Sequence, residues 1–156
     1  MIDVRSEPPD GPAATALFEE YMAFVGERAG VRMDERTDIF GTPDLFRGPG
    51  TAWLVLYDDG DPVGCGGLCE AEPGVGEIRR MFVSARARRR GHGRRVLEAL
   101  EARARELGYA RVRLFTTTML VEARAMYAAA GYEIVARPVE DDRHDYVMEK
   151  ALSRIP

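Results

Sequence analysis

The hexapeptide Arg88-Arg89-Arg90-Gly91-His92-Gly93 joins three guanidinium groups to two glycines. It lies between a strand-like stretch, Glu77 to Val83, and a helix-period stripe of Val96, Leu97, Leu100, Ala104 and Leu107. A loop that leaves the C-terminal end of a strand and opens a helix meets the unpaired N–H groups of the first turn and the positive end of the helix dipole. Glycine lets the backbone approach an anion with no Cβ in the way, and arginine adds charge-assisted hydrogen bonds. The chemistry implied is the holding of a di- or polyphosphate. The segment has neither the Gly-x-x-x-x-Gly-Lys of a P-loop nor the Gly-x-Gly-x-x-Gly of a dinucleotide fold, which sets aside most nucleotide hydrolases and dehydrogenases.

Charge is distributed to match. The net charge of the 156-residue chain is −4, yet Ile78 to Leu97 holds eight arginines (Arg79, Arg80, Arg86, Arg88, Arg89, Arg90, Arg94 and Arg95) and no acid. The remainder has 14 basic residues against 26 acidic ones, a charge of −12. That balance, with no aromatics interleaved in the arginine run after Phe82, argues against nucleic acid as partner. The two cysteines, Cys65 and Cys69, fall on a strand about 13 Å apart, too far for a disulfide, and read as free, half-buried thiols. Neither the cysteines nor the two histidines, His92 and His144, have metal-ligand spacing, so no metal is expected. The longest apolar run, Ala52 to Tyr57, has six residues, far short of a membrane span. The first ten residues have no basic, apolar leader, so a cytoplasmic location is expected.

The elements that must position the loop are legible in the periodicity. Ala14, Leu17, Phe18, Tyr21 and Val25 mark an amphipathic helix that ends near Gly30. Val31 to Gly50 reads as loop with one short helix, and Ala52–Tyr57 and Pro62–Cys69 read as a hairpin about Asp58-Asp59-Gly60-Asp61. Glu77–Val83, a helix from Arg94 to Gly108, and Arg111–Thr116 form a βαβ unit, whose strands must be parallel with a right-handed crossover. A short helix through Ala123, Met126, Tyr127 and Ala130, closed by Gly131, precedes strands at Tyr132–Arg137 and Asp145–Glu149. The whole, residues 1–156, is expected to be one α/β (α+β) domain, a size that suits a single core.

Arg88, Gly91 and Gly93 match the Gln/Arg-x-x-Gly-x-Gly/Ala signature of the GNAT superfamily of N-acetyltransferases, which this sequence resembles. The resemblance also runs through Pro62 to Leu68, Glu77 to Val83, and Ala123 to Tyr127 with Gly131-Tyr132, and covers roughly Ala52 to Leu152. It implies a mixed, splayed sheet of six to seven strands flanked by about four helices, with acetyl-CoA as cosubstrate wedged between the parallel strands. By the same resemblance, backbone groups of Met81, Phe82 and Val83 pair with the pantetheine arm. The N–H groups of Arg89, Arg90, Gly91, His92, Gly93 and Arg94 hold the pyrophosphate, and His92 is expected to offer only its amide, with the imidazole facing solvent. The family often has an asparagine seven residues before its tyrosine, where this chain has Leu120, which puts the path of the pantetheine arm in question.

Acetyl transfer from a thioester to an amine poses two proton problems: the ammonium must lose a proton before attack, and the departing thiolate benefits from one. The resemblance assigns the acid to Tyr127, against the alternative of a core tyrosine. It assigns the base to Glu77, against a strand-end glutamate paired with Arg79 or a nearby arginine. The reaction implied is direct attack in a ternary complex on behalf of a primary amine, either a small molecule or a protein amino group. An acetyl-CoA-binding sensor domain without catalysis is the alternative. In relatives the acceptor site is built from regions that here are Val31–Gly50 and Pro138–His144; the latter is equally an exposed acidic turn, and His144 an ordinary surface residue. Trp53 reads as core. A homodimer is compatible with the sequence.

Overall fold

The structure, a computed structural model, describes residues 1–30, 42–116, 121–136 and 146–152. In chain order the described elements are β1 (Ile2–Ser6), α1 (Pro12–Ala29), a 3-10 turn (Pro43–Phe46), β2 (Ala52–Asp58), β3 (Asp61–Glu72) and β4 (Val75–Val83). A second 3-10 turn (Ala85–Ala87), α2 (His92–Glu106), β5 (Arg111–Thr116), α3 (Val121–Ala129), β6 (Glu133–Ala136) and β7 (Tyr146–Ala151) follow. The seven strands make one mixed sheet in the order β1-β2-β3-β4-β5-β7-β6, antiparallel except where β4 meets β5. Three α-helices flank it among the described residues, against the four expected.

The unbroken apolar run Ala52–Tyr57 is explained by burial on both faces. Trp53, Val55 and Tyr57 join Ala14 and Leu17 of α1 on one side, while Ala52, Leu54 and Leu56 join Val96, Leu97 and Leu100 of α2 on the other. The hairpin expected at β2–β3 is present and continues into β4 as a meander. β3 runs close beneath its neighbours because it carries glycine where side chains cannot fit. A Cβ on Gly66 would stand 2.7 Å from Leu100, and one on Gly67 would stand 2.4 Å from Phe46. Helix α1 stops at Gly30 in the left-handed conformation, and Gly108 turns the chain out of α2 with φ +88°, both where the sequence places a stop.

Several boundaries move. β1 was not expected: its alternation is muted because it is a short edge strand paired only with β2, with Ile2 and Val4 partly exposed. Helix α2 starts at His92 rather than Arg94, since Gly91, at φ +78°, serves as its N-cap. Both thiols are fully buried rather than half-buried, because β3 is covered on both faces at those positions. Trp53 is core, as expected, and packs on Phe46 with ring centroids 5.1 Å apart.

On the α2 side a polar strut crosses the core. The Glu101 carboxylate, 4% exposed, accepts from the Tyr132 hydroxyl at 2.8 Å and from Lys150 Nζ at 3.1 and 3.2 Å, tying α2 to the chain leaving α3 and to β7. Removing one partner of such a cluster leaves the others buried without compensation. Glu101→Ala is therefore expected to lower unfolding free energy by about 3 kcal/mol in urea titration, a loss that an exposed pair such as Arg94–Glu98 would not show.

Candidate active site

β4 and β5 pair only from Val75–Arg111 to Ile78–Leu114. Beyond that β4 stays with β3 as far as Val83, and β5 stays with β7 as far as Thr116, so the two strands separate. At the split Arg80 takes φ +56°, and the β3–β4 register shifts between Cys65–Phe82 and Gly67–Arg79. This is a bulge: two residues of β4 oppose Gly66, and the facing of the strand reverses. Ile78 therefore packs toward α2, whereas Phe82 packs toward α1 beside Tyr21 and Phe24. Arg80, buried, lays its guanidinium on the Phe18 ring at 3.9 Å.

The gap is a cleft of about 600 Å³ that passes between the two faces of the sheet. Met81, Phe82 and Val83 form one wall; Leu114, Phe115 and Thr116 of β5, with Ala123, Met126 and Tyr127 of α3, form the other; Tyr21 and Phe24 of α1 close it from the far side. On its β5-facing edge β4 has no strand partner past Ile78 among the described residues.

One end of the cleft is the arginine–glycine loop. Arg89 at φ +65° and Gly91 at φ +78° curl the backbone, and the first helical bond runs from Arg95 N–H to the Gly91 carbonyl. The N–H groups of His92, Gly93 and Arg94 thus precede the helical ladder at the positive end of α2. Gly93 sits against α3, where a Cβ would come within 2.9 Å of the Met126 sulfur.

The eight arginines divide by task. Arg79, Arg80, Arg88, Arg89 and Arg94 line the cleft. Arg86 is taken up in bracing, with hydrogen bonds to Asp61, Ser84 and the Pro62 carbonyl and a 3.3 Å contact to Glu20. Arg90 approaches Asp58 at 3.9 Å, and Arg95 donates to the Arg90 carbonyl at 2.8 Å. Arg88 donates from Nε to the Val83 carbonyl at 3.1 Å and rests its guanidinium over Phe24 at 4.3 Å.

His92 corrects the expectation of a solvent-facing ring. It is 3% exposed, with Nε2 at 3.2 Å from Asp58 Oδ2 and Nδ1 at 3.1 Å from Arg95 Nη1. A guanidinium only donates, so Nδ1 accepts and Nε2–H donates to Asp58. The imidazole pins the loop to the end of β2. Helix start at residue 92, rather than 94, is what turns the ring inward.

Tyr127 is buried in the cleft wall, its ring 6.0 Å from that of Tyr132, and burial pushes its phenol well above the usual range. The nearby Tyr21, which stacks on Phe82 with ring centroids 5.3 Å apart, adds to that rise. Thus Tyr127 belongs to the core cluster, as the core reading has it, and also lines the cleft. Glu77 lies one pair before the split and is not among the residues lining the cleft. It faces the α1 side with Arg79, whose Nε is 3.1 Å from Oε2, and burial raises its carboxyl above the ordinary value. Arg28 and Glu122, 2.7 Å apart, join the last turn of α1 to the first turn of α3 at the cleft.

Burial lifts the Cys65 thiol to about 12 and the Cys69 thiol to about 11, which leaves neither as a thiolate nucleophile at neutral pH. Leu120, the loop Pro138–His144 and the first part of Val31–Gly50 lie outside the described residues. Tyr21, Phe24, Arg28 and Thr116 were missed as cleft residues. The two aromatics carried no signal beyond a helix period, and the face of a strand beyond a bulge is not readable from alternation.

Comparison with known proteins agrees with this geometry. The model of the acetyltransferase (GNAT) family matches residues 13–132. An IAA acetyltransferase from Azospirillum brasilense is 30% identical over 132 residues, 84% of each chain. A Klebsiella pneumoniae structure described as an acyl-CoA N-acyltransferase superposes with a TM-score of 0.77 at 27% identity, covering 98% of this chain and 99% of that one. The PaiA N-acetyltransferase of Thermoplasma acidophilum, solved in complex with coenzyme A, shares the fold at a TM-score of 0.70 and 16% identity, with 97% and 99% covered. A strand pair that parts over a glycine-capped helix N-terminus, and a family model spanning most of the chain, lead to one conclusion: the protein belongs to the GNAT family of acetyltransferases.

Proposed function

We propose that this acyltransferase, a single domain over residues 1–156, moves the acetyl group of acetyl-CoA to a primary amine by direct attack in a ternary complex, in the cytoplasm. The observation that carries the reading is the parting of β4 from β5 after Ile78–Leu114, with an anion-binding helix N-terminus at one end of the gap and a buried phenol in its wall.

The fit can be argued group by group. A pyrophosphate is held by the N–H groups of His92, Gly93 and Arg94, with the guanidinium groups of Arg89 and Arg94 beside it. The pantetheine arm adds to the open edge of β4 along Met81, Phe82 and Val83, in the manner of a strand. An N–H on that edge is aimed at the thioester carbonyl and stabilises the oxyanion formed when the amine attacks. As nitrogen–carbon bonding completes, the carbon–sulfur bond breaks and the thiolate leaves next to Tyr127. Because burial holds this phenol protonated, it serves as a standing hydrogen-bond donor to the developing thiolate.

The amine reaches the carbonyl from the α1 side, where Glu77 lies. Its carboxylate takes the ammonium proton through a bridging water, since it stands just outside the cleft. A carboxyl raised by burial is a better base than an ordinary one, and Arg79 beside it limits the rise. With both thiols buried and held protonated, no acetyl-cysteine intermediate forms.

Three outcomes test the reading. Calorimetric titration should show micromolar acetyl-CoA binding, weakened at least about tenfold in Gly91→Val, where a β-branched residue is forced to φ +78°. Tyr127→Phe should lower kcat about 10²-fold with acetyl-CoA affinity little changed; an unchanged kcat at saturating amine would leave Tyr127 a core residue only. For Glu77, raised above its usual value, activity should climb with pH through a limb above the ordinary carboxylate range. Glu77→Gln should remove that limb and lower kcat/KM about 10²-fold in a pH–rate series.

A further inference from the structure

The arginine–glycine loop has a carboxylate beside it. Asp58 closes β2 with its side chain three-quarters buried, and its Oδ2 lies 3.2 Å from Nε2 of His92, the first residue of α2. A negative charge next to a phosphate site opposes an incoming anion, so an acid in this position needs a use that outweighs the repulsion. Arg90 faces the same oxygen at 3.9 Å and offsets part of the charge.

The use can be followed from contact to contact. Nε2–H of the buried His92 ring donates to Asp58, and Nδ1 accepts from Arg95 Nη1 at 3.1 Å. The same Nη1 donates to the Arg90 carbonyl at 2.8 Å, and the Arg95 backbone N–H donates to the Gly91 carbonyl at 3.1 Å. Both carbonyls are thereby turned toward Arg95. In a trans peptide the N–H points opposite to the C=O, and no peptide bond here is cis, so the N–H groups of Gly91 and His92 point away from the body of α2. Gly91, at φ +78° and ψ 12°, is followed by a right-handed helical residue, an alternation in which successive N–H groups converge on a concavity that takes anions. Arg95 sets the direction of these donors, His92 sets Arg95, and Asp58 sets His92.

We propose that Asp58 and His92 are positioning residues for the diphosphate of acetyl-CoA, acting through Arg95 and the Arg90 and Gly91 carbonyls to aim the N–H groups that bind it. This deepens the acetyl-transfer reading and rests on it. Neither side chain touches the ligand or moves a proton; the contacts to phosphate are made by the backbone.

The sign of one substitution separates positioning from charge. Through charge alone, Asp58→Ala would tighten acetyl-CoA binding, because it removes an acid from beside the site. Through the tether it weakens binding, because His92 and Arg95 lose their anchor. In calorimetric titration Asp58→Ala is expected to raise Kd for acetyl-CoA about tenfold, and displacement by ADP, which has a diphosphate and no pantetheine arm, should show the same rise for ADP. His92→Leu, which keeps the buried site filled but drops both ring hydrogen bonds, should match it. Asp58→Asn, whose amide oxygen still accepts from Nε2–H, should bind acetyl-CoA at least as tightly as the unaltered protein. Unchanged or tighter binding by Asp58→Ala or His92→Leu, a loss for acetyl-CoA without one for ADP, or an Asp58→Asn variant as weak as Asp58→Ala would overturn the proposal and leave the acetyl-transfer reading standing. Failure of the unaltered protein to bind acetyl-CoA would overturn both.

Discussion

The parting of two parallel strands organises this protein. Between Ile78–Leu114 and the strand ends, β4 and β5 give up a ladder that parallel neighbours normally complete, and that edge of β4 has no strand partner among the described residues. The separation is held by what each strand keeps on its other side, β3 for β4 and β7 for β5. It is sharpened by the left-handed turn at Arg80, which reverses the facing of β4. A backbone conformation that an arginine adopts at some cost in energy persists because Gly66 opposite it allows α2 and Met81 to close over the bulge.

The arginine cluster works with this geometry through a division between binding and bracing. Arginines that line the cleft supply positive charge, while Arg86, Arg90 and Arg95 hold the loop through carboxylates and carbonyls brought from β2, β3, α1 and the loop itself. His92 belongs to the bracing set. Its ring bridges Asp58 and Arg95, so the N–H groups of the first turn of α2 are held in a fixed frame.

Behind the cleft, the packing that positions Tyr127 is continuous with the strut that joins α2 to β7. Tyr132 donates its backbone N–H to the Tyr127 carbonyl at 3.0 Å, stacks obliquely on its ring, and donates its hydroxyl to Glu101. The phenol proposed as donor to sulfur is thereby tied, through Tyr132, to Glu101 of α2. Its environment is dry enough to hold the proton, which is what a donor to a departing thiolate requires.

Residue order alone determined the βαβ unit, the hairpin before it, the helix stops at Gly30 and Gly108, and the glycine turn that opens α2 after Arg88 to Arg90, because each follows from local periodicity or from the geometry of glycine. It also placed Tyr127 on a helix after the second parallel strand and Glu77 at the base of the first. Tertiary structure decided what spacing cannot encode. The left-handed turn at Arg80 reversed a strand's faces, the burial of His92 followed from a carboxylate thirty-four residues away, and Tyr21 became a cleft residue only because α1 lies across the split. These are contacts between segments distant in sequence, and their sign depends on which face each segment turns inward, a choice made by packing and not by the alternation of neighbouring residues.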